Sequence, residues 1–193
     1  MPTLRRCPVS GKTVSATDIL MQEHRLIEQV LDSLEEAACK LEDGEDIAPD
    51  FFIDAAEFVA GFADGSHHRK EEDILFVAMT ARDMPGDAGP VAVMRAEHEK
   101  GRRLTAGFRS AAEQMKGGDA GAAAAVIGNA LDYVNLLRDH IMKEDDVLFP
   151  MAEQLLDDEQ LQQVSQEFAR MLAADEESGQ VAKYQALAKR LRS

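Results

Sequence analysis

Four of the five histidines in this 193-residue chain stand at positions related by an internal repeat. Glu23-His24 recurs as Glu97-His98, and the ten residues HHRKEEDILF from His67 recur as HIMKEDDVLF from His140. His24 and His67 are 43 positions apart, His98 and His140 are 42 apart. Each half therefore carries one lone histidine and one His-x-x-x-Glu, ending in Glu71 and Glu144. On a helix the two side chains of His-x-x-x-Glu lie one turn apart on one face. Imidazole offers a nitrogen ligand, and a carboxylate can bridge two cations and offset their charge. Such a nitrogen and oxygen set suits iron or manganese better than thiolates would, and zinc accepts it too. The candidate metal ligands are His24, His67, Glu71, His98, His140 and Glu144.

The bland alternative is that each group is ordinary. A lone histidine on an apolar stripe is usually a satisfied core residue, and one His-x-x-x-Glu is usually an exposed pair. Six such groups at repeat-related inward positions resist that account. Burying two carboxylates and four imidazoles without a compensating ion costs several kcal/mol.

The elements that must hold these groups are helices, since the apolar periodicity is helical nearly everywhere. A first helix is expected from a cap near Thr17 and Asp18 to the Glu42-Asp43-Gly44 stop, with stripe Leu20, His24, Ile27, Leu31, Leu34, Ala38 and Leu41. A second is expected from Pro49 to about Arg82, with His67 and Glu71 on its stripe, ending at the loop MPGDAGP. A third runs from about Val91 to Lys116 through His98, Gly101 and Thr105. A fourth starts at the Asp119 cap and passes Leu137, His140 and Glu144 towards Pro150. The alternating three- and four-residue spacings are the seam of a left-handed bundle, and short loops imply up-down-up-down neighbours. Asp157 is a further cap, followed by a helix to about Ala174 and, after Gly179, a last one to Leu191. The expected fold is all-α: an N-terminal arm (1–16), an up-down-up-down four-helix bundle (17–151) and a C-terminal helical appendage (152–193). The stripe Leu161, Val164, Phe168 and Leu172 should pack the appendage on the bundle's outside, away from the metal site.

Composition narrows the partners. The net charge is −15, from 21 Lys+Arg against 36 Asp+Glu, which disfavours nucleic acid and anionic lipid as partners. Cys7 and Cys39 form no zinc or redox motif. No apolar core follows the basic residues near the start, so no signal peptide is read, and Ala120–Ala130 is too short for a membrane span. A cytoplasmic protein is expected. Ser10-Gly11-Lys12-Thr13 imitates a phosphate loop, but Arg6 stands where its first glycine belongs, and Asp43–Asp50 lacks calcium-loop spacing.

The segments HHRKEEDILF, VMRAEHEKGR and DHIMKEDDVLFP resemble the hemerythrin-like (HHE cation-binding) family, over about Thr17 to Met151. The resemblance implies a four-helix bundle holding two non-haem irons. By that likeness His24 and His67 serve one iron, His98 and His140 the other. Glu71 and Glu144 bridge them, with an oxo or hydroxo group as third bridge. Oxygen-carrying members have one more histidine, one turn after the third-helix histidine, where this chain has Arg102. In those carriers the fourth-helix bridging carboxylate also falls five residues after its histidine, which is Asp145 here; the repeat favours Glu144.

His68 also forms a His-x-x-x-Glu, with Glu72, but lies about 100° around an α-helix from His67, and Ile141 is its repeat partner. It is expected at the surface or behind the ligands. Glu23, Glu28 and Glu97 are expected to be solvated or behind the ligands too. Three functions remain open: binding or sensing O2 or NO, peroxidase-like or nitric-oxide-reducing turnover, and iron supply for damaged iron-sulfur clusters. Five ligands on each six-coordinate iron would leave the sixth position open on both, which favours reaction with a bridging small molecule over reversible carriage.

Overall fold

The computed structural model describes residues 15–192, and every regular element among them is helical. The arm carrying Cys7 and Ser10–Thr13 lies outside the described residues. Helix α1 spans Ala16–Glu42. Its cap is Ser15, two residues before Thr17 and three before Asp18: the Ser15 hydroxyl accepts from the Asp18 N–H, while the Asp18 carboxylate accepts from the Ser15 N–H. Helix α2 is continuous over 49–80 and opens on Pro49, whose missing N–H costs nothing in a first turn. Helix α3 spans Gly89–Lys116 and helix α4 spans Ala120–Leu155.

Helices α2 and α4 are not uniform. Glu71–Leu75 and Glu144–Leu148 are π-helical turns at repeat-related positions, closed by Phe76 N–H to the Glu71 carbonyl and Phe149 N–H to the Glu144 carbonyl. Helix α2 has a longer π stretch upstream, Val59–His68. Single π turns inside α-helices mark functional positions more often than chance, because the wider turn re-aims side chains. The same device explains why α4 passes Pro150 instead of ending there. Pro150 falls in the first turn of the α-segment Phe149–Leu155, where an N–H is not required.

Each of α1 to α4 packs against the next, and α4 closes the ring against α1. By length and composition α4 could cross a membrane; here it is a bundle helix bearing buried His140 and Glu144. The apolar core is split in two. One cluster holds Leu31, Phe52, Phe58, Phe108 and Tyr133, and the other holds Leu20, Leu75, Phe76, Leu148 and Phe149. The six candidate ligands lie in neither cluster.

The C-terminal helices α5 (Asp158–Glu177) and α6 (Gln180–Leu191) pack against α1 and α2. Asp157 caps α5 through a capping box with Gln160. Val164 and Phe168 are buried in the second cluster and Leu161 rests against it, but Leu172 is 37% exposed and leaves the expected stripe. Helix α6 inserts Tyr184, Leu187 and Leu191 into the first cluster, so the appendage completes both halves of the core.

Gly61 makes the docking of α6 possible. A Cβ there would lie 1.8 Å from the Tyr184 hydroxyl oxygen and 2.0 Å from Cζ, so the whole ring would have to move. Gly61→Ala should therefore destabilise the fold by about 1–3 kcal/mol despite alanine's better helix propensity. In a Tyr184→Ala background the same change should be neutral or stabilising. Equal destabilisation in both backgrounds, read from denaturant melts, would show that Tyr184 is not the obstacle.

Candidate metal centre

The bundle brings all six predicted groups together at its centre, between the two apolar clusters. His24, Glu71 and Glu144 are 0% exposed, and His67, His98 and His140 are 1% exposed. The Glu144 carboxylate lies between two imidazoles, 3.2 Å from Nε2 of His24 and 3.2 Å from Nε2 of His140. Glu71 does the same between His67 at 3.3 Å and His98 at 3.5 Å. Each glutamate thus joins a ligand from one half of the repeat to a ligand from the other. These atoms are close without being aligned as hydrogen bonds. Both oxygens of Glu71 and Glu144, and Nε2 of His24 and His67, are buried with no hydrogen-bond partner. Orphaned anionic oxygens in a dry core are costly, and a cation between them removes the cost.

Two groups of donors form, and within each the ligand atoms lie within 4.8 Å of one another. One is His24, His67, Glu71 and Glu144; the other is His68, Glu71, His98 and His140. His68 corrects the sequence-based expectation of a surface or outlying residue. It is 5% exposed and stacks on His98 with ring centroids 3.8 Å apart. The reason is the π stretch ending at His68: a wider turn reduces the angle between successive side chains, so adjacent His67 and His68 both face inward. The two halves differ at this position, because Ile141 supplies no imidazole opposite His68.

Every imidazole is held from behind by a carboxylate on its Nδ1. Asp145 supports His24 at 2.7 Å, Glu23 supports His67 at 3.0 Å and Asp64 faces His68 at 3.4 Å. Glu72 supports His98 at 2.6 Å and Glu97 supports His140 at 3.0 Å. A carboxylate on Nδ1 leaves Nε2 to turn inward and raises the basicity of the ring, as around bound metals. Glu28, by contrast, pairs with Arg25 at the surface. Asp145 therefore holds His24 and does not replace Glu144.

Cations hold the carboxylates in turn. Lys70, only 1% exposed, donates to Glu23 at 2.7 Å, and its repeat partner Lys143 donates to Glu97. Arg25 donates to Asp145. Arg102 donates at 2.8 Å to both Glu72 and Asp64, so the residue standing where carriers have a histidine instead fixes the supports of His98 and His68. Lys70 also donates to Ser66 Oγ at 3.2 Å, and Ser66 donates to buried Asp175 of α5 at 3.0 Å. The appendage supplies no group to either donor cluster, but it reaches the support of His67 through that chain.

Above the site, Phe149 stacks on His24 at 5.5 Å and its repeat partner Phe76 stacks on His98 at 6.1 Å. The Leu75-Phe76 and Leu148-Phe149 pairs of the repeat, all buried, thus form the roof that keeps water from one side.

Charge coupling follows from this packing. Burial works against protonation of His67, but Glu71 and Glu23 outweigh it and push the ring up to about 10. Glu144 and Glu97 likewise push His140 up to about 9 against its burial. Burial raises Glu144, yet His140 and His24 reverse that and hold it well below the ordinary carboxylate range. His68 moves the other way: burial and the neighbouring His98, His67 and His140 keep it neutral. The hydrogen bond from His98, opposed by burial and aided by Arg102, brings Glu72 down to about 2.

The matched family model is the hemerythrin HHE cation-binding domain, over residues 15–152. The chain belongs to that family. Uncharacterised proteins from Mycobacterium bovis and from two strains of Mycobacterium tuberculosis are each 24% identical over 143 residues, covering 74% of this chain. The chain spans about half the length, 55%, of these relatives. No solved structure matches. The family match ends near Ala152, so α5 and α6, with Asp175, lie outside it. The buried histidine and glutamate clusters of this HHE domain could hold metal.

A metal-ligating imidazole must offer its lone pair, so metal uptake competes with protons. In the metal-free site His67 and His140 are protonated below about 10 and about 9. Metal affinity should therefore rise with pH from 6 towards 9, and uptake at pH 7.5 should release more than one proton per chain. Calorimetry in buffers of different ionisation enthalpy measures this; uptake without proton release would refute the protonation pattern.

Proposed function

We propose that this HHE domain holds two non-haem irons and uses them to bind, and to sense or react with, a small ligand such as O2, NO or H2O2. The observation that carries the reading is the pair of buried glutamates, each with two unpartnered oxygens and each set between imidazoles of both repeat halves. In this reading His24 and His67 hold one iron, and His98 and His140 hold the other, with Glu71 and Glu144 shared. His68 is a fifth imidazole on the His98 and His140 side, which makes the two irons unequal. Iron suits the mixed nitrogen and oxygen donors. When bound, the pair would supply redox equivalents and Lewis acidity.

The chain's own residues account for the rest. Asp145, Glu23, Glu72 and Glu97 fix the ring orientations, and Lys70, Lys143, Arg25 and Arg102 fix those carboxylates. The Phe76 and Phe149 roof excludes water. The fifth imidazole revises the count of open positions. It would join His98 and His140 in holding one iron, so the more open coordination would fall to the iron held by His24 and His67.

Metal analysis of protein from iron-replete cells should give two irons per chain; one zinc and no iron would sink the reading. Glu71→Ala and Glu144→Ala should each lose iron and lower the melting temperature, because metal that binds only the native state stabilises it. His68→Ile, which copies Ile141 of the other half, should retain iron but change the optical spectrum. An unchanged spectrum and affinity would remove His68 from the ligand set. Rapid mixing of the reduced protein with peroxide and with NO separates turnover from sensing.

A further inference from the structure

A cavity of about 230 Å³ lies between α2 and α3 beside the metal centre. His68 and His98 line its inner end, while exposed Ala60 and Ala106 lie at its mouth. Much of the wall is apolar or small, including Val59 and Gly101. Two of the lining residues carry hydroxyls, Thr105 and Tyr133. Both are buried, Thr105 to 5% and Tyr133 to 1% exposure, and neither has a hydrogen-bond partner. Gly101 keeps the space beside the phenol open, since a Cβ there would already touch the Tyr133 ring at 3.4 Å.

These features specify an occupant. An apolar cavity of ~150 Å³ accepts benzene. This one is therefore far larger than O2, NO or H2O2 requires and takes a substituted six-membered ring. The polar end of the occupant must both donate and accept, to match two hydroxyls. Burial and the nearby Asp64 charge keep the proton on Tyr133. Charge is not wanted. Arg102 is paired with Asp64, Glu72 and Glu99, and Arg109 with Glu57 and Glu113, so neither guanidinium is left to bind an anion. Paired guanidiniums at a cavity wall still attract the face of an aromatic ring.

We propose that this cavity is a binding site for a small neutral phenol, its hydroxyl paired with Thr105 and Tyr133 and His68 forming the wall between it and the metal pair. Occupancy of the cavity rests only on the protein; its communication with the metals rests on the function proposed above.

The probe is 4-fluorophenol, titrated into the full chain and followed by fluorine NMR, first metal-free and then iron-loaded. Saturable binding is expected in both. The double variant Thr105→Val with Tyr133→Phe should weaken 4-fluorophenol by about tenfold or more, while leaving fluorobenzene binding unchanged. Ala106→Phe changes an exposed residue at the mouth, so it should block both probes with an unaltered melting curve. In the iron-loaded protein, saturation should shift the optical spectrum of the centre. Absence of saturable binding to metal-free protein, or binding indifferent to Ala106→Phe and to loss of both hydroxyls, would overturn the site. An unmoved iron spectrum at saturation would overturn His68 as the shared wall. Failure to load iron would sink the proposed metal function, while the metal-free titration would still decide the cavity.

Discussion

Two fully buried carboxylates set the terms for the whole molecule. Glu71 and Glu144 have no hydrogen-bond donor on any of their four oxygens, and they sit where the dielectric is lowest. Like charges in such a place are tolerated only if positive charge is drawn in around them. The surroundings fall into layers for that reason. Imidazoles ring the glutamates, carboxylates hold the imidazoles from behind, and lysine and arginine hold the carboxylates in turn. Each layer offsets the charge of the one inside it. Removing one outer member leaves a buried charge uncompensated, so the supports matter beyond the strength of any single pair.

Geometry must be as well defined as charge, and the helices provide it. The site lies between two separate apolar clusters, so the bundle is clamped above and below the polar layer and the ligands cannot drift. The π turns that begin at Glu71 and Glu144 adjust the direction of the side chains without breaking α2 or α4. Helices α5 and α6 supply Phe168 and Tyr184 to the two clusters and thereby stiffen the face formed by α1 and α2. Through Asp175, Ser66 and Lys70 that stiffness reaches Glu23 and His67.

The repeat produces near symmetry, and one residue breaks it. His68 faces inward where Ile141 offers no ligand atom, so one half of the site has three imidazoles and the other has two. The apolar cavity opens beside the richer half only, lined by Thr105 and Tyr133.

Much of this was legible in the amino-acid order. The paired Glu-His and His-x-x-x-Glu segments, set in helical periodicity, named the six central residues and the four helices that carry them, because ligand spacing and helix period are local properties. Even Pro49 and Asp157 marked helix starts correctly. What lay beyond reach depended on contacts between helices. The inward turn of His68 required the π stretch of α2, which sequence periodicity at an α-helical step cannot reveal. Asp64 carried no signal in the sequence, Glu72 was visible only as a partner of His68 and Asp145 only as an alternative to Glu144, and only packing across helices set Glu72 on His98 and Asp145 on His24. The role of Arg102 as a clamp, the reach of Asp175 into the site and the cavity at Tyr133 have the same origin. A chain encodes the period of each helix within a few residues, but which side chain meets which across the bundle is decided when the helices pack.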